Sequence, residues 1–276
     1  MQKVRVGLVK LGNIGTSPML DLMLDERAER EDIEFRSVSS GPRMGKEDSK
    51  DVAEKILEFN PDLITIISPN PTTPGPSSAR DALSETGVPC TVVGDAPGTQ
   101  ITDDLEEAGF GYIFVIADSM IGARKEFLDP TEMALFNADL IKVLSITGAL
   151  RAVRQEMDKA IESIKSSELY LPRIIVDRDT AAEAAGFENP YAKVKAMSAF
   201  EIASKVAELS VEGCFKVQDK EKYIPIVGSA HEMMRTAAQL ADEARELEKS
   251  KDSVLRKPHA DDGKTLSKRK FMETPK

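Results

Sequence analysis

The chain has 276 residues, of which 41% are hydrophobic, and a formal net charge of −10. That length and apolar content suffice for a substantial core. The charge argues against nucleic acid as the main partner, since phosphate backbones select clustered Lys and Arg, whereas here 37 basic residues are interspersed among 47 acidic ones. No apolar run approaches the roughly 20 residues of a membrane span, so no membrane partner is expected. The N-terminus passes directly into a strand pattern without a secretory signal. The only cysteines, Cys90 and Cys214, make neither a disulfide framework nor a CxxC metal pair. These features point to a cytoplasmic protein.

In chain order, residues 4–9 are short, apolar and bounded by Lys10-Leu11-Gly12, as in a first buried strand. Residues 20–29 have helical composition, with Ser17 as the expected N-cap and Pro18 at the first helical position. Residues 33–38 form the second strand. Residues 49–59 place Val52, Ile56, Leu57 and Phe59 at amphipathic helical spacing. Residues 63–67 are a near-continuous apolar run, the pattern of a strand covered on both faces. Pro69, Pro71, Pro74 and Pro76 follow, removing four donors and fixing four φ angles, so that residues 68–76 are expected to be a rigid loop. A helix is expected at 77–86, strands at 90–93 and 111–116, and a short helix at 101–108. Strands alternating with helices imply a parallel sheet of Rossmann-like βα units.

The second half changes character. Residues 130–166, 192–209 and 231–249 read as long helices. Between the last two, 214–217 and 223–227 are short β-type runs joined by a polar turn, the pattern of a small hairpin. The tail from Ser250 is basic and polar, and is expected to pack on a neighbour or stay mobile. The expected organisation is an α/β domain over 1–128, a helix bundle over 129–249 with a small β element at about 211–228, and a tail over 250–276.

Open α/β sheets bind ligands at the carboxyl ends of their strands, which makes the post-strand loops the candidate site. After the first strand, Lys10, Gly12, Asn13, Gly15 and Thr16 resemble half of a dinucleotide fingerprint leading to a helix start that can hold an anion. The fingerprint is incomplete because position 10 is Lys. The acid that would bind a ribose is also missing after strand two, so NAD is disfavoured. The alternative is that these glycines serve only a tight turn. Pro69, Asn70 and Pro71 come from the second loop and Gly94, Asp95 and Ala96 from the third, where Asp95 also suits a simple turn role. From the fourth come Asp118, Ser119 and Arg124, with Asp118 alternatively only a helix cap.

Acid–base machinery is sparse. His231 and His259 are the only histidines, so neither a histidine metal cluster nor a Ser-His-Asp set is evident. Both cysteines suit small core positions, and His231, placed at a helix start, suits capping or packing. No residue is assigned a catalytic proton-transfer role, and a cleft of this kind leaves the chemistry to a cofactor.

The segments Lys10–Ser17, 21–30, 69–76, Gly94-Asp95-Ala96-Pro97-Gly98 and 122–130 together resemble an archaeal enzyme family, the coenzyme F420-dependent methylenetetrahydromethanopterin dehydrogenases. The resemblance continues through 187–192, 211–215, 229–235 and 266–272, and so covers nearly the whole chain. It implies reversible hydride transfer between reduced F420, a dissociable co-substrate, and the methenyl carbon of a pterin one-carbon carrier, as in methanogenesis. It also implies a homohexamer built as a trimer of dimers, with no metal. The weighed alternatives are an NAD(P)-dependent dehydrogenase and a non-enzymatic metabolite sensor.

Overall fold

The computed structural model describes residues 3–119, 124–166 and 168–276. The chain divides into two compact units. The first comprises Met1–Val115, Val153–Ile175 and Lys257–Leu266, and the second Ile116–Ala152, Val176–Arg256 and Ser267–Lys276. The division therefore does not follow a single cut near residue 128, because α6 (Ala149–Lys165) contributes most of its length to the first unit.

The first unit is built on strands β1 (Val4–Lys10), β2 (Ile33–Ser39), β3 (Leu63–Ser68), β4 (Cys90–Gly94), β5 (Gly111–Val115) and β6 (Arg173–Val176). They form one sheet in the order β2-β1-β3-β4-β5-β6. The registered pairings from β2 through β5 are all parallel. β3 is buried at every position, as its near-continuous apolar run requires of a strand covered on both faces. α2 (Lys46–Leu57) buries Val52, Ala53 and Ile56, and α3 (Pro74–Ser84) buries Ala79 and Leu83. These residues join Val9, Ile64, Ile66, Val92 and Phe114 in one core cluster. The chain leaves β1 toward β2 on one side and β3 toward β4 on the other, so the sheet switches direction between β1 and β3. A crevice forms at that point in such sheets.

Two expectations for this unit are corrected. Pro74 and Pro76 do not belong to the irregular loop: they lie in the first turn of α3, where the missing N–H groups have no helical acceptor to lose. α1 is only Leu20–Leu24, preceded by Met19 with no side-chain cap, so neither Ser17 nor Pro18 starts it. β6, an edge strand of four residues, was not anticipated.

Residues 257–266 of the tail pack against their own chain. His259 pairs with Thr265 in an isolated antiparallel bridge, and the Glu31 N–H donates to the Asp261 carbonyl at 2.7 Å. Arg154 donates to the Lys257 carbonyl at 2.6 Å. The fully buried His259 ring faces Glu26 Oε1 through Nδ1 at 3.1 Å and Asp158 Oδ1 through Nε2 at 2.9 Å. Nearby, Asp32 accepts from Arg30 at 2.8 Å and from Lys165 at 2.6 Å. Burial pushes the Asp32 carboxyl up, but the Arg30 and Lys165 contacts outweigh it and hold it near about 2.

The second unit contains α5 (Pro130–Thr147), α7 (Arg178–Ala185), α8 (Pro190–Val211) and α9 (Lys220–Ser250). Asp129, Asp177, Asn189 and Asp219 each accept a backbone N–H at a helix start. Gly148, at φ 99°, breaks α5 from α6 in a left-handed conformation that costs glycine little. Alanines recur along the buried faces of α8 and α9, allowing close backbone approach.

The small hairpin expected over about 211–228 is absent among the described residues. Glu212–Lys216 is a π-helical turn, and Tyr223, Val227 and Ala230 lie on the buried face of α9. Runs of four or five apolar residues do not distinguish strand from helix. The Asp219 cap and the i, i+4, i+7 spacing decide for helix. His231 is consequently well inside α9 rather than at its start.

Candidate functional site

Three loops meet at the carboxyl edge of the first unit's sheet. The first follows β1. The side chain of Lys10 is 14% exposed, and its Nζ lies 3.6 Å from Asp21 Oδ1. Gly12 adopts φ +74°, and a Cβ there would sit 2.7 Å from Met44 Sδ and 3.1 Å from Pro69 Cδ. Glycine is thus required both by the turn and by the approach of the neighbouring loop. Asn13 is exposed, whereas Gly15 and Thr16 are buried. The Ser17 and Met19 N–H groups donate to the Ile14 and Thr16 carbonyls at 3.0 and 3.1 Å. With those donors occupied and only a five-residue helix beyond them, the anion-holding helix start expected at Thr16 is not formed.

The second loop, Pro69 to Thr73, is set by its own hydrogen bonds. Asn70 Oδ1 accepts from the Thr72 N–H at 3.1 Å and the Thr72 hydroxyl at 2.6 Å. The Asn70 carbonyl accepts from the Thr73 hydroxyl at 2.9 Å. The Asn70 oxygen is therefore committed to the turn, while its Nδ2 makes no hydrogen bond among the described residues. Pro71 is buried against the end of β4: a Cβ on Gly94 would fall 2.6 Å from Pro71 Cγ. In the third loop the buried Asp95 accepts the Ala96 N–H at 2.7 Å and caps the 3₁₀ turn Ala96–Ile101. Asp95 thus fulfils the turn role that its Gly/Pro setting suggested, and Ala96 is half-buried beside it.

The structure brings together Lys10, Gly12, Asn13, Gly15, Thr16, Pro69, Asn70, Pro71, Gly94, Asp95 and Ala96 within the first unit. Asp118, Ser119 and Arg124 belong to the second unit. Asp118 is fully buried and Ser119 half-buried. The helix expected to open after them falls on 120–123, outside the described residues. Arg124 donates to the Gly213 and Val217 carbonyls at 3.0 and 2.5 Å and lies over the Tyr223 ring at 4.0 Å. Its guanidinium is engaged with the π-helical turn.

Arg80 was missed from the sequence. Its Nη1 donates to the Pro71 carbonyl at 2.7 Å. The available signal was its place two turns into α3, from which a long side chain leans back toward the helix N-terminus. The remaining reactive side chains are subdued. Burial pushes the Cys90 thiol up to about 12, and Cys214 is buried in the π-helical turn. His231 packs against Phe127 and Phe136 with ring centroids at 5.0 and 4.8 Å, and burial lowers its pKa. Among the described residues no three His, Cys, Asp or Glu side chains are grouped to hold a metal.

Residues 4–276 match the family model of methylene-5,6,7,8-tetrahydromethanopterin dehydrogenase. The chain belongs to this family. It is 57% identical over 274 residues to the F420-dependent methylenetetrahydromethanopterin dehydrogenase of Methanopyrus kandleri, covering 97% of each chain. It is also 57% identical over 273 residues to the Archaeoglobus fulgidus enzyme of the same name, covering 99% of each. A solved structure superposes with a TM-score of 0.96 at 55% identity over 100% of both chains. That protein is an F420-dependent methylene-tetrahydromethanopterin dehydrogenase in complex with methylene-tetrahydromethanopterin and coenzyme F420.

Proposed function

We infer that the protein is an oxidoreductase that transfers a hydride reversibly between reduced coenzyme F420 and methenyl-tetrahydromethanopterin, giving methylene-tetrahydromethanopterin. The observation that carries this reading is family membership along residues 4–276, together with high identity to enzymes of that name. Reduced F420 supplies the hydride and releases its second hydrogen as a proton, and the methenyl carrier, a resonance-stabilised cation, accepts the hydride.

The residues of the sheet edge suit this chemistry. Their donor set is one lysine, hydroxyls, an amide and stiff backbone, which binds and orients without a positioned acid–base pair. Pro69 and Asn70, braced by the buried Pro71, present a fixed surface to a flat ring. Gly12, Gly15 and Gly94 keep the backbones low so that this surface stays close to the strands. Lys10 supplies positive charge for the phosphate and glutamyl carboxylates that both ligands carry, which a chain of net charge −10 needs locally. Asn13, Thr16, Asp95 and Ala96 complete the proposed binding set at this edge, and none of them makes or breaks a bond. The protein works in the cytoplasm of an archaeal cell, within one-carbon metabolism of the methanogenic type, as a homohexamer arranged as a trimer of dimers.

An absorbance assay with F420 and methylene-tetrahydromethanopterin tests the activity, with NADP as the control acceptor. Turnover with F420 alone supports it. Turnover with NADP instead, or ligand binding without turnover, contradicts it. Light scattering of the purified protein tests the hexamer.

A further inference from the structure

We propose that Arg80 anchors an anionic group, phosphate or carboxylate, of one co-substrate while holding the proline loop in place, an inference that rests on the hydride-transfer reading above. Arg80 lies on α3 (Pro74–Ser84), and its side chain runs back along the helix to the carboxyl edge of the sheet. One N–H reaches the Pro71 carbonyl at 2.7 Å. Pro71 in turn rests on Gly94, within 2.6 Å of where a Cβ there would be. The guanidinium therefore stands where the loops after β3 and β4 join.

What sets Arg80 apart is its lack of a counter-ion. Among the described residues no carboxylate lies within 4.0 Å of it, and Asp81 and Asp104 act on it only from farther away. Burial pushes its pKa down. Arg30, which is more deeply buried than the half-buried Arg80, has Asp32 at 2.8 Å and Asp158 at 3.5 Å. Buried cations are ordinarily paired because desolvation is otherwise uncompensated. In a chain with 47 acidic residues a partner would be easy to supply. Clamping Pro71 needs one donor, and a guanidinium has five in a planar fork. The remaining fork matches the paired oxygens of a phosphate or carboxylate. Lys10 is already associated with Asp21 at 3.6 Å, whereas the charge of Arg80 is matched by no carboxylate among the described residues.

The test is steady-state kinetics of wild type, R80K and R80Q with each co-substrate varied in turn, with melting temperatures measured alongside. Loss of a charged hydrogen bond predicts that R80Q raises the KM of one co-substrate, and not the other, by about 10- to 100-fold. Its kcat should change by less than about threefold, and R80K should recover part of the lost affinity. F420 and the pterin arms identify which ligand carries the anion. The wild-type KM for that ligand should also rise with ionic strength, and less steeply in R80Q. Unchanged KM values in both variants overturn the proposal, as does an equal rise for both co-substrates accompanied by a falling melting temperature, the outcome of a loop clamp alone. If R80Q does not fold, R80K and the salt dependence of the wild type decide. Absence of F420-linked turnover in the wild type instead removes the functional reading, and this inference falls with it.

Discussion

At the carboxyl edge of the first unit's sheet, Pro69, Asn70, Pro71, Gly94 and Asp95 hold one another through backbone geometry, with Lys10 and Arg80 as its cations. Around Asp32, in the same unit, the opposite solution prevails: Arg30, Lys165, Asp158, Arg154, His259 and Glu26 close on one another and clip residues 257–266 in place. Ion pairs suit the second task because a buried network fixes one arrangement of distant segments when every member is satisfied. They suit the first poorly, since a rim saturated with internal salt bridges has no charge left for an incoming ligand. The molecule ties residues 257–266 with a cluster of buried charges and leaves the carboxyl edge stiff and sparsely charged.

The sharpest way to break this comparison is Asp32→Asn, which strips Arg30 and Lys165 of their shared partner. Removing one member of a buried network costs about 3–5 kcal/mol, read as a shift in denaturant midpoint, while kcat measured below the melting temperature stays near wild type. A fully stable variant would show the cluster to be ornamental. The same residue fixes the acid limb of stability. Its carboxyl is held at about 2, below the ordinary 3.8, so its contribution of about 2 kcal/mol is present above pH 3.8 and is lost as the pH falls toward 2. The stability gap between wild type and D32N should therefore narrow by about 2 kcal/mol as the pH falls from 3.8 toward 2.

At the ligand edge, Gly94→Val forces a side chain into Pro71. Overpacking of about 1–3 kcal/mol is expected, with a fall in kcat/KM of about 100-fold from misplacement of the loop. An active, normally stable variant would mean that the loop's position does not matter. Lys10→Ala should raise the KM of F420 or the pterin by about tenfold, more than it lowers kcat, and unchanged constants remove Lys10 from the site. His231→Asn is the mildest change. It lies between Phe127 and Phe136 and is kept neutral by burial, so substantial turnover should remain, whereas complete loss with intact folding would point to proton transfer.

The parallel sheet was legible because β1, β3 and β4 are short apolar runs bounded by glycine and proline, and because residues 49–59 carry a helical stripe. Pro74 and Pro76 were misassigned because a proline reads the same in a rigid loop and in the first turn of a helix; only the helix behind it decides. The hairpin misreading at 211–228 has a similar origin, as Tyr223-Ile224-Pro225-Ile226-Val227 has β composition yet is overruled by burial of every third or fourth residue in a 31-residue helix. Of the site, the glycine and proline positions were visible because backbone requirements are written locally. Arg80 and the tail cluster were not, because both depend on contacts set by tertiary packing. Arg80 reaches back nine residues to Pro71 and His259 joins Asp158 across 101 positions.

The central claim is that the edge positions two rings and transfers no proton to the one-carbon unit. Single-turnover hydride transfer from reduced F420 to the methenyl carrier, followed by stopped-flow absorbance between roughly pH 5.5 and 8, tests it most directly. The account predicts a rate that is flat across this range. A bell-shaped profile, or a single ionisation that abolishes transfer, would contradict it.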